Sequence, residues 1–233
     1  MCIRDRIKTK VIGRVFRQDE IADQIYDMWI ETELAQGARP GQFVCVYTKN
    51  AAALLPRPIS ICEVNEEKTM LRLVYRTVGT GTNEFADYHA GTEISLLGPL
   101  GNGFPVEKAA GKRVFLIGGG IGIPPMLQLS KEIKKAGQAY CELSVLGYRN
   151  ELFLNTDLEK YSQVYVATED GSAGTKGTVL DAIKEKGLSG DVIFACGPMP
   201  MLRAIKEYAA ANNMEAYISL EEHMACGVGA CLG

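Results

Sequence analysis

Arg113-Val114-Phe115-Leu116-Ile117-Gly118-Gly119-Gly120-Ile121-Gly122-Ile123-Pro124-Pro125 decides how the second half of the chain folds. Residues 113–117, apolar after Arg113 and largely β-branched or aromatic, have the composition of a buried strand. The glycines break it at once. Pro124 then opens a helical stretch running to Ala136, at a position where a missing N–H costs nothing. Strand, glycine turn and helix form the context that a phosphate-binding turn needs. Glycine lets the backbone approach a pyrophosphate, and the helix start favours its negative charge. The spacing is not G-x-G-x-x-G, so a tight strand-to-helix turn without a ligand has the same appearance. Gly118, Gly119, Gly120 and Gly122 are the candidate nucleotide contacts here.

Downstream the rhythm continues. Strands are expected at 141–146, 163–168, 192–196 and 216–220. Helices are expected at 179–186 and 198–211, with a short one at 158–161. Strands alternating with helices imply a parallel sheet with nucleotide-binding geometry. Ala195-Cys196-Gly197-Pro198-Met199-Pro200-Met201 is a second strand-to-helix junction. It places Cys196, Gly197, Pro198 and Met199 at the ligand edge of such a sheet, although packing and a Pro-initiated helix would explain them too.

Upstream, the pattern is of short strands: 8–16, 24–31, 42–47, 59–64, 70–76 and 92–97. A polar loop of hairpin length, Asn65 to Thr69, joins two of them. This suggests a small antiparallel barrel. Gly98-Pro99-Leu100-Gly101-Asn102-Gly103-Phe104-Pro105 reads as a break in regular structure and a domain boundary. The expected organisation is therefore a barrel domain over 1–104, an α/β domain over 105–220 and a separate tail over 221–233.

Two motifs in the barrel half carry chemistry. In Arg57-Pro58-Ile59-Ser60 the Arg can neutralise a phosphate while the Ser hydroxyl reaches a heteroatom of a bound ring. A surface Arg beside a turn is the plainer reading. Val74-Tyr75-Arg76 ends a strand, and Gly79-Thr80-Gly81-Thr82-Asn83 follows. Its glycines and hydroxyls make a plausible pyrophosphate loop, or a plain turn.

The chain closes on Glu221-Glu222-His223-Met224-Ala225-Cys226-Gly227-Val228-Gly229-Ala230-Cys231-Leu232-Gly233. C-x4-C opens the plant-type ferredoxin spacing C-x4-C-x2-C, whose thiolates hold a [2Fe-2S] cluster. Cys226 and Cys231 are the candidate metal ligands. The third would fall just after Gly233, so the sequence is expected to be a fragment. Two idle thiols or a zinc site are the alternatives, although zinc favours C-x2-C.

Bulk properties narrow the class. A chain of 233 residues with 47% hydrophobic and 23% charged residues is long enough for two modest cores. A net charge of −3 excludes the basic excess of a nucleic-acid binder. No apolar stretch reaches the roughly 18 residues of a membrane span. Met1 to Arg6 lacks the apolar run of a secretory signal, so a cytoplasmic location is expected. Cys2, Cys45, Cys62, Cys141 and Cys196 lie among apolar stretches and read as free thiols rather than a disulfide framework. There is no internal repeat.

Taken in order, R-x-x-S, the Gly-Thr segment, the glycine turn and C-G-P resemble the ferredoxin-NADP reductase superfamily over nearly the whole chain. With the C-terminal C-x4-C, the segments R-P-I-S-I-C, L-V-Y-R, G-T-G-T, G-G-G-I-G-I-P-P and E-E-H-M-A-C-G-V-G-A-C are similar to the electron-transfer subunits of dihydroorotate dehydrogenase B. The resemblance implies an antiparallel flavin-binding barrel, a parallel-sheet NAD-binding domain and the start of a [2Fe-2S] loop. It implies FAD contacts at Arg57, Pro58, Ile59, Ser60, Val74, Tyr75, Arg76, Gly81 and Thr82, with no general acid or base. Electrons would pass from NADH through FAD and the cluster to an FMN-containing dihydroorotate dehydrogenase catalytic subunit in pyrimidine biosynthesis, in a two-plus-two heterotetramer. NAD rather than NADP follows from the resemblance. Arg149 after the second sheet strand argues against it, and Glu169-Asp170 after the third argues for it. A flavin and iron-sulfur subunit of a hydrogenase or ferredoxin:NADP reductase complex shares every motif. A non-catalytic nucleotide-binding module with a zinc tail would be colourless.

Overall fold

The computed structural model describes residues 10–50 and 55–220. These fall into two compact units, one up to Asn102 and the other from Gly103 onward. Residues 221–233, with Cys226 and Cys231, lie outside the described residues, as does Cys2.

The first unit is a closed six-stranded antiparallel barrel. Its strands are β1 (Lys10–Ala22), β2 (Ile25–Glu31), β3 (Phe43–Tyr47), β4 (Arg57–Val64), β5 (Met70–Arg76) and β6 (Glu93–Leu100). They close in the order β1-β2-β5-β4-β3-β6, and β6 returns to pair with β1. Alternate residues fill the interior, as a strand's period of two requires. On β5 Leu71, Leu73 and Tyr75 enter the core beside Ile30, Val44 and Leu96. The short helix α1 (Thr80–Ala86) lies between β5 and β6 and sends Phe85 into the same core.

The barrel expected from the strand spacing is present, with three differences. β1 runs through Arg17-Gln18-Asp19-Glu20, where no apolar alternation survives, because pairing with β2 satisfies the backbone of this polar arm. β6 continues through Pro99 to Leu100, which pairs with Phe43, so the expected break begins later. Thr80 to Asn83 belongs to α1 and not to a loop.

The second unit is a parallel sheet in the order β10-β9-β8-β7-β11-β12. Its elements run β7 (Arg113–Gly119), α2 (Pro124–Ala136), β8 (Cys141–Tyr148), α3 (Asn155–Leu158), β9 (Gln163–Thr168), β10 (Thr175–Lys176), α4 (Val179–Glu185), β11 (Val192–Cys196), α5 (Met199–Ala211) and β12 (Glu215–Ser219). Phe115 and Ile117 of β7 pack with residues of α4 and α5 in one core cluster. Val114 and Leu116 face the other way, toward the side that α2 covers. Helices on both faces explain why β7 and β11 read as continuous apolar runs.

Here the short helix ends at Leu158, where the sequence suggested it would start. The two-residue β10 had no signal of its own. Cys45, Cys62 and Cys196 are buried and Cys141 half-buried, as thiols.

Candidate functional site

Chain order in the second unit reverses between β7 and β11. From β7 the sheet grows through β8, β9 and β10 to one side, then restarts at β11 on the other. Ligands of open α/β sheets bind outside the carboxyl ends of strands at such a switch point. The structure brings both glycine-bearing junctions there. Gly118 at the end of β7 pairs with Cys196 at the end of β11. A 3-10 turn, Gly120–Gly122, leads into α2.

The two loops touch backbone to backbone. A Cβ on Gly122 would overlap the Cys196 carbonyl and stand 2.5 Å from the Gly197 nitrogen. Gly120 has φ +52° and Gly197 φ +154°, conformations that side chains resist. Met201 closes the back of the turn, since a Cβ on Gly119 would lie 2.6 Å from its sulfur. Sequence reading placed Met201 at this junction but gave it no role. Pro198 is exposed, and Met199 is 42% exposed, an apolar side chain presented at the same edge.

Two further loops reach the carboxyl edge. Tyr148 is buried and donates its hydroxyl to the Phe153 carbonyl at 2.8 Å, while Arg149 is exposed. After β9, Asp170 accepts the Ser172 N–H at 2.9 Å and the Ser172 hydroxyl at 2.7 Å. The amide and hydroxyl of Ser172 hold the Asp170 carboxyl below the usual carboxylate range. Ser172 also lies 3.3 Å from the Asn150 carbonyl, which ties the acidic turn to the loop carrying Arg149.

In the barrel, Arg57 opens β4 opposite Val46, and Ser60 sits opposite Phe43. The Arg57 guanidinium lies across Gly81, where a Cβ would be 2.6 Å from Nε. Arg57 also donates to the Leu55 carbonyl, and among the described residues no carboxylate pairs with it. Gly81 therefore makes room for the Arg57 guanidinium beside the start of α1. That is a fit for a phosphate or pyrophosphate.

The other predicted barrel residues divide. Thr82 is buried, and its hydroxyl is engaged within α1. It accepts from Val78 N at 2.9 Å and Gly79 N at 3.3 Å, and donates to the Gly79 carbonyl at 3.1 Å. Tyr75 points into the core, stacks on Tyr26 at 5.8 Å and donates to Gln18 Oε1 at 2.9 Å. Val74 and Arg76 take the face opposite to Tyr75 by strand alternation, with Arg76 half-buried. Pro58 is exposed, and Ile59 packs against the barrel core.

Comparison with known proteins identifies the family. The family described as oxidoreductase NAD-binding domain matches residues 116–207, which contain both glycine junctions. The chain is 44% identical over 230 residues to a protein of Bacillus caldolyticus named dihydroorotate dehydrogenase B (NAD(+)), electron transfer subunit, covering 95% of this chain and 88% of that one. The chain belongs to the dihydroorotate dehydrogenase B electron-transfer subunit family. A relative of the same name from Geobacillus sp. (strain WCH70) is 43% identical over 222 residues, covering 93% of this chain and 85% of the relative. Among solved structures, the NADH-dependent reduced ferredoxin-NADP oxidoreductase aligns with a TM-score of 0.85 at 29% identity, over 95% of this chain and 80% of that one. The ferredoxin NADP+ reductase of Neisseria gonorrhoeae shares the fold, with a TM-score of 0.75 at 14% identity, over 91% of this chain and 99% of that one. The barrel and parallel sheet of this subunit family are thus those of the ferredoxin reductases.

Proposed function

We propose that this chain oxidises NADH through a bound FAD and passes the electrons, by way of a [2Fe-2S] cluster, to a catalytic subunit that interconverts dihydroorotate and orotate on FMN in pyrimidine biosynthesis. The observation that carries this reading is the meeting of Gly118–Gly122 and Cys196–Met199 at the switch point, in a chain 43% identical to named electron-transfer subunits.

A bound FAD would supply hydride acceptance from reduced nicotinamide and one-electron release. The protein's part is binding and orientation. Arg57 would neutralise the flavin's pyrophosphate, with Gly81 leaving space for it. Ser60, Val74, the Tyr75 backbone and Arg76 would line the rest of that ligand. The glycine turn before α2 would hold the NADH pyrophosphate, and Met199 would offer an apolar surface to the bound dinucleotide. Cys226 and Cys231 would be two of the cluster's thiolates. A cytoplasmic location and a heterotetramer of two such chains with two catalytic subunits complete the reading. A subunit of a ferredoxin:NADP oxidoreductase complex is the second reading, favoured by the TM-score of 0.85. The lower identity, 29% against 43%, puts it behind.

The test is the visible spectrum of the purified chain before and after anaerobic NADH. Flavin bands that bleach with NADH are the expected result. A folded chain without flavin would refute the proposal, and bleaching by NADPH alone would reverse the choice of nucleotide.

A further inference from the structure

Outside the motifs, one carboxylate gathers more hydrogen bonds than its half-exposed position requires. Glu84 lies on α1, one turn beyond Gly81. Its Oε1 accepts the Lys49 N–H at 2.6 Å and the Tyr88 hydroxyl at 2.5 Å. Its Oε2 accepts the Asn50 N–H at 3.2 Å. Lys49 and Asn50 begin the connection from β3 to β4, and Arg57 stands at its far end. The Lys49 ammonium lies 5.2 Å above the Tyr88 ring and completes the cluster.

Partial burial alone would raise the Glu84 carboxyl. The bonds from Tyr88, Lys49 and Asn50 outweigh it and hold the group below its ordinary range. Burial, then the bond to Glu84, pushes the Tyr88 phenol up, so it stays a donor at neutral pH. The cluster is therefore a charged acceptor with three donors, the strong form of hydrogen bond.

We infer that Glu84 is a positioning residue for the flavin site: it ties Lys49 and Asn50, just past β3, to α1 and so keeps Gly81 under the guanidinium of Arg57, whose strand pairs with β3. Arg57 bridges the same two pieces of chain. Its side chain leans on Gly81 of α1 while donating to Leu55 of the connection. Paired strands hold its backbone opposite Val46 of β3. Phe85 in the barrel core and the Gln18 amide on the Phe85 and Ala86 carbonyls seat α1 on the barrel, and Glu84 adds the direct tie between α1 and the end of β3. The inference rests on the reading that Arg57 and Gly81 hold the FAD pyrophosphate.

A double-mutant cycle tests it. The flavin-depleted full chain is titrated with FAD, and flavin fluorescence reports affinity for wild type, Arg57→Ala, Glu84→Ala and the double variant. Glu84→Ala should weaken FAD about tenfold, the effect of losing one charge-assisted hydrogen bond network. Glu84→Gln keeps one acceptor oxygen and should recover part of the loss. The double variant should bind FAD no more weakly than Arg57→Ala, since a residue acting only through Arg57 has no effect without it. If Glu84→Ala does not fold, Tyr88→Phe combined with Glu84→Gln replaces it in the cycle. Arg57→Ala weakening FAD while Glu84→Ala does not, or fully additive losses, would overturn the positioning role and leave the flavin site standing. Unchanged FAD affinity in Arg57→Ala would overturn the flavin-site assignment and the positioning role with it.

Discussion

Gly122 and Cys196 are joined through a contact that only a missing side chain permits: the glycine turn before α2 rests directly on the carbonyl that ends β11. The neighbouring atoms are backbone, so they cannot swing away. Gly122→Ala should therefore part the two loops, at a stability cost of about 1–3 kcal/mol for overpacking. The KM for NADH should rise well beyond what the change in melting temperature explains. Steady-state kinetics with NADH, set beside thermal unfolding, checks both.

Gly81 gives the opposite expectation. The atoms a Cβ would meet there are the far end of Arg57, which is flexible. Gly81→Ala should leave unfolding within about 0.5 kcal/mol of wild type, yet weaken FAD by displacing the guanidinium. FAD titration of the flavin-depleted chain, beside chemical denaturation, separates the two effects.

Asp27 and Arg72 form a buried bidentate pair on the barrel, at 3.0 and 2.9 Å, with Glu63 at 3.1 Å on the remaining guanidinium nitrogen. Asp27→Ala strips a buried cation of its main partner and should cost about 3 kcal/mol, the low end for such a loss because Glu63 remains. Denaturant unfolding measures it.

Glu142 makes stability depend on pH. Burial pushes its carboxyl up to about 7, against the opposing pull of the Ser130 hydroxyl at 3.2 Å and the Lys134 ammonium. A folded-state value above the unfolded one means that the native state binds the extra proton between about pH 4.5 and 7. Stability therefore falls as pH rises through that window. Glu142→Gln should remove the fall and stabilise the protein by about 1 kcal/mol at pH 8, a figure reduced for partial exposure. At pH 4 the two proteins should unfold alike. Melting temperatures across this range decide it.

On the NADH reading, the acidic turn after β9 would repel a 2′-phosphate. Asp170 is ionised at neutral pH, and its turn is tied to the loop of Arg149. Glu169→Gln with Asp170→Asn should raise kcat/KM for NADPH relative to NADH about tenfold, by removing like-charge repulsion. Competition kinetics with the two nucleotides measures the ratio.

The sequence by itself determined the order of elements. Short β-rich segments precede alternating strands and helices, and the glycine turn at 118–122 announces a parallel sheet, because hydrophobic period and turn chemistry are local properties. It also exposed the residues with motif value, from Arg57 to Met199. What it could not supply came from contacts distant in the chain. The polar arm of β1 is a strand only because β2 pairs with it. The short β10 exists only beside β9. Tyr75 is adjacent to Arg76 in sequence, yet only strand alternation and barrel closure put its hydroxyl on Gln18. The Thr82 hydroxyl meets the Val78 and Gly79 amides only because α1 starts there. Glu84 carried no signal beyond a helical i, i+4 relation to Tyr88, and its bonds to Lys49 and Asn50 appear only once the chain has folded back on itself. Tertiary structure decided these roles because a side chain's partners follow from strand register and closure.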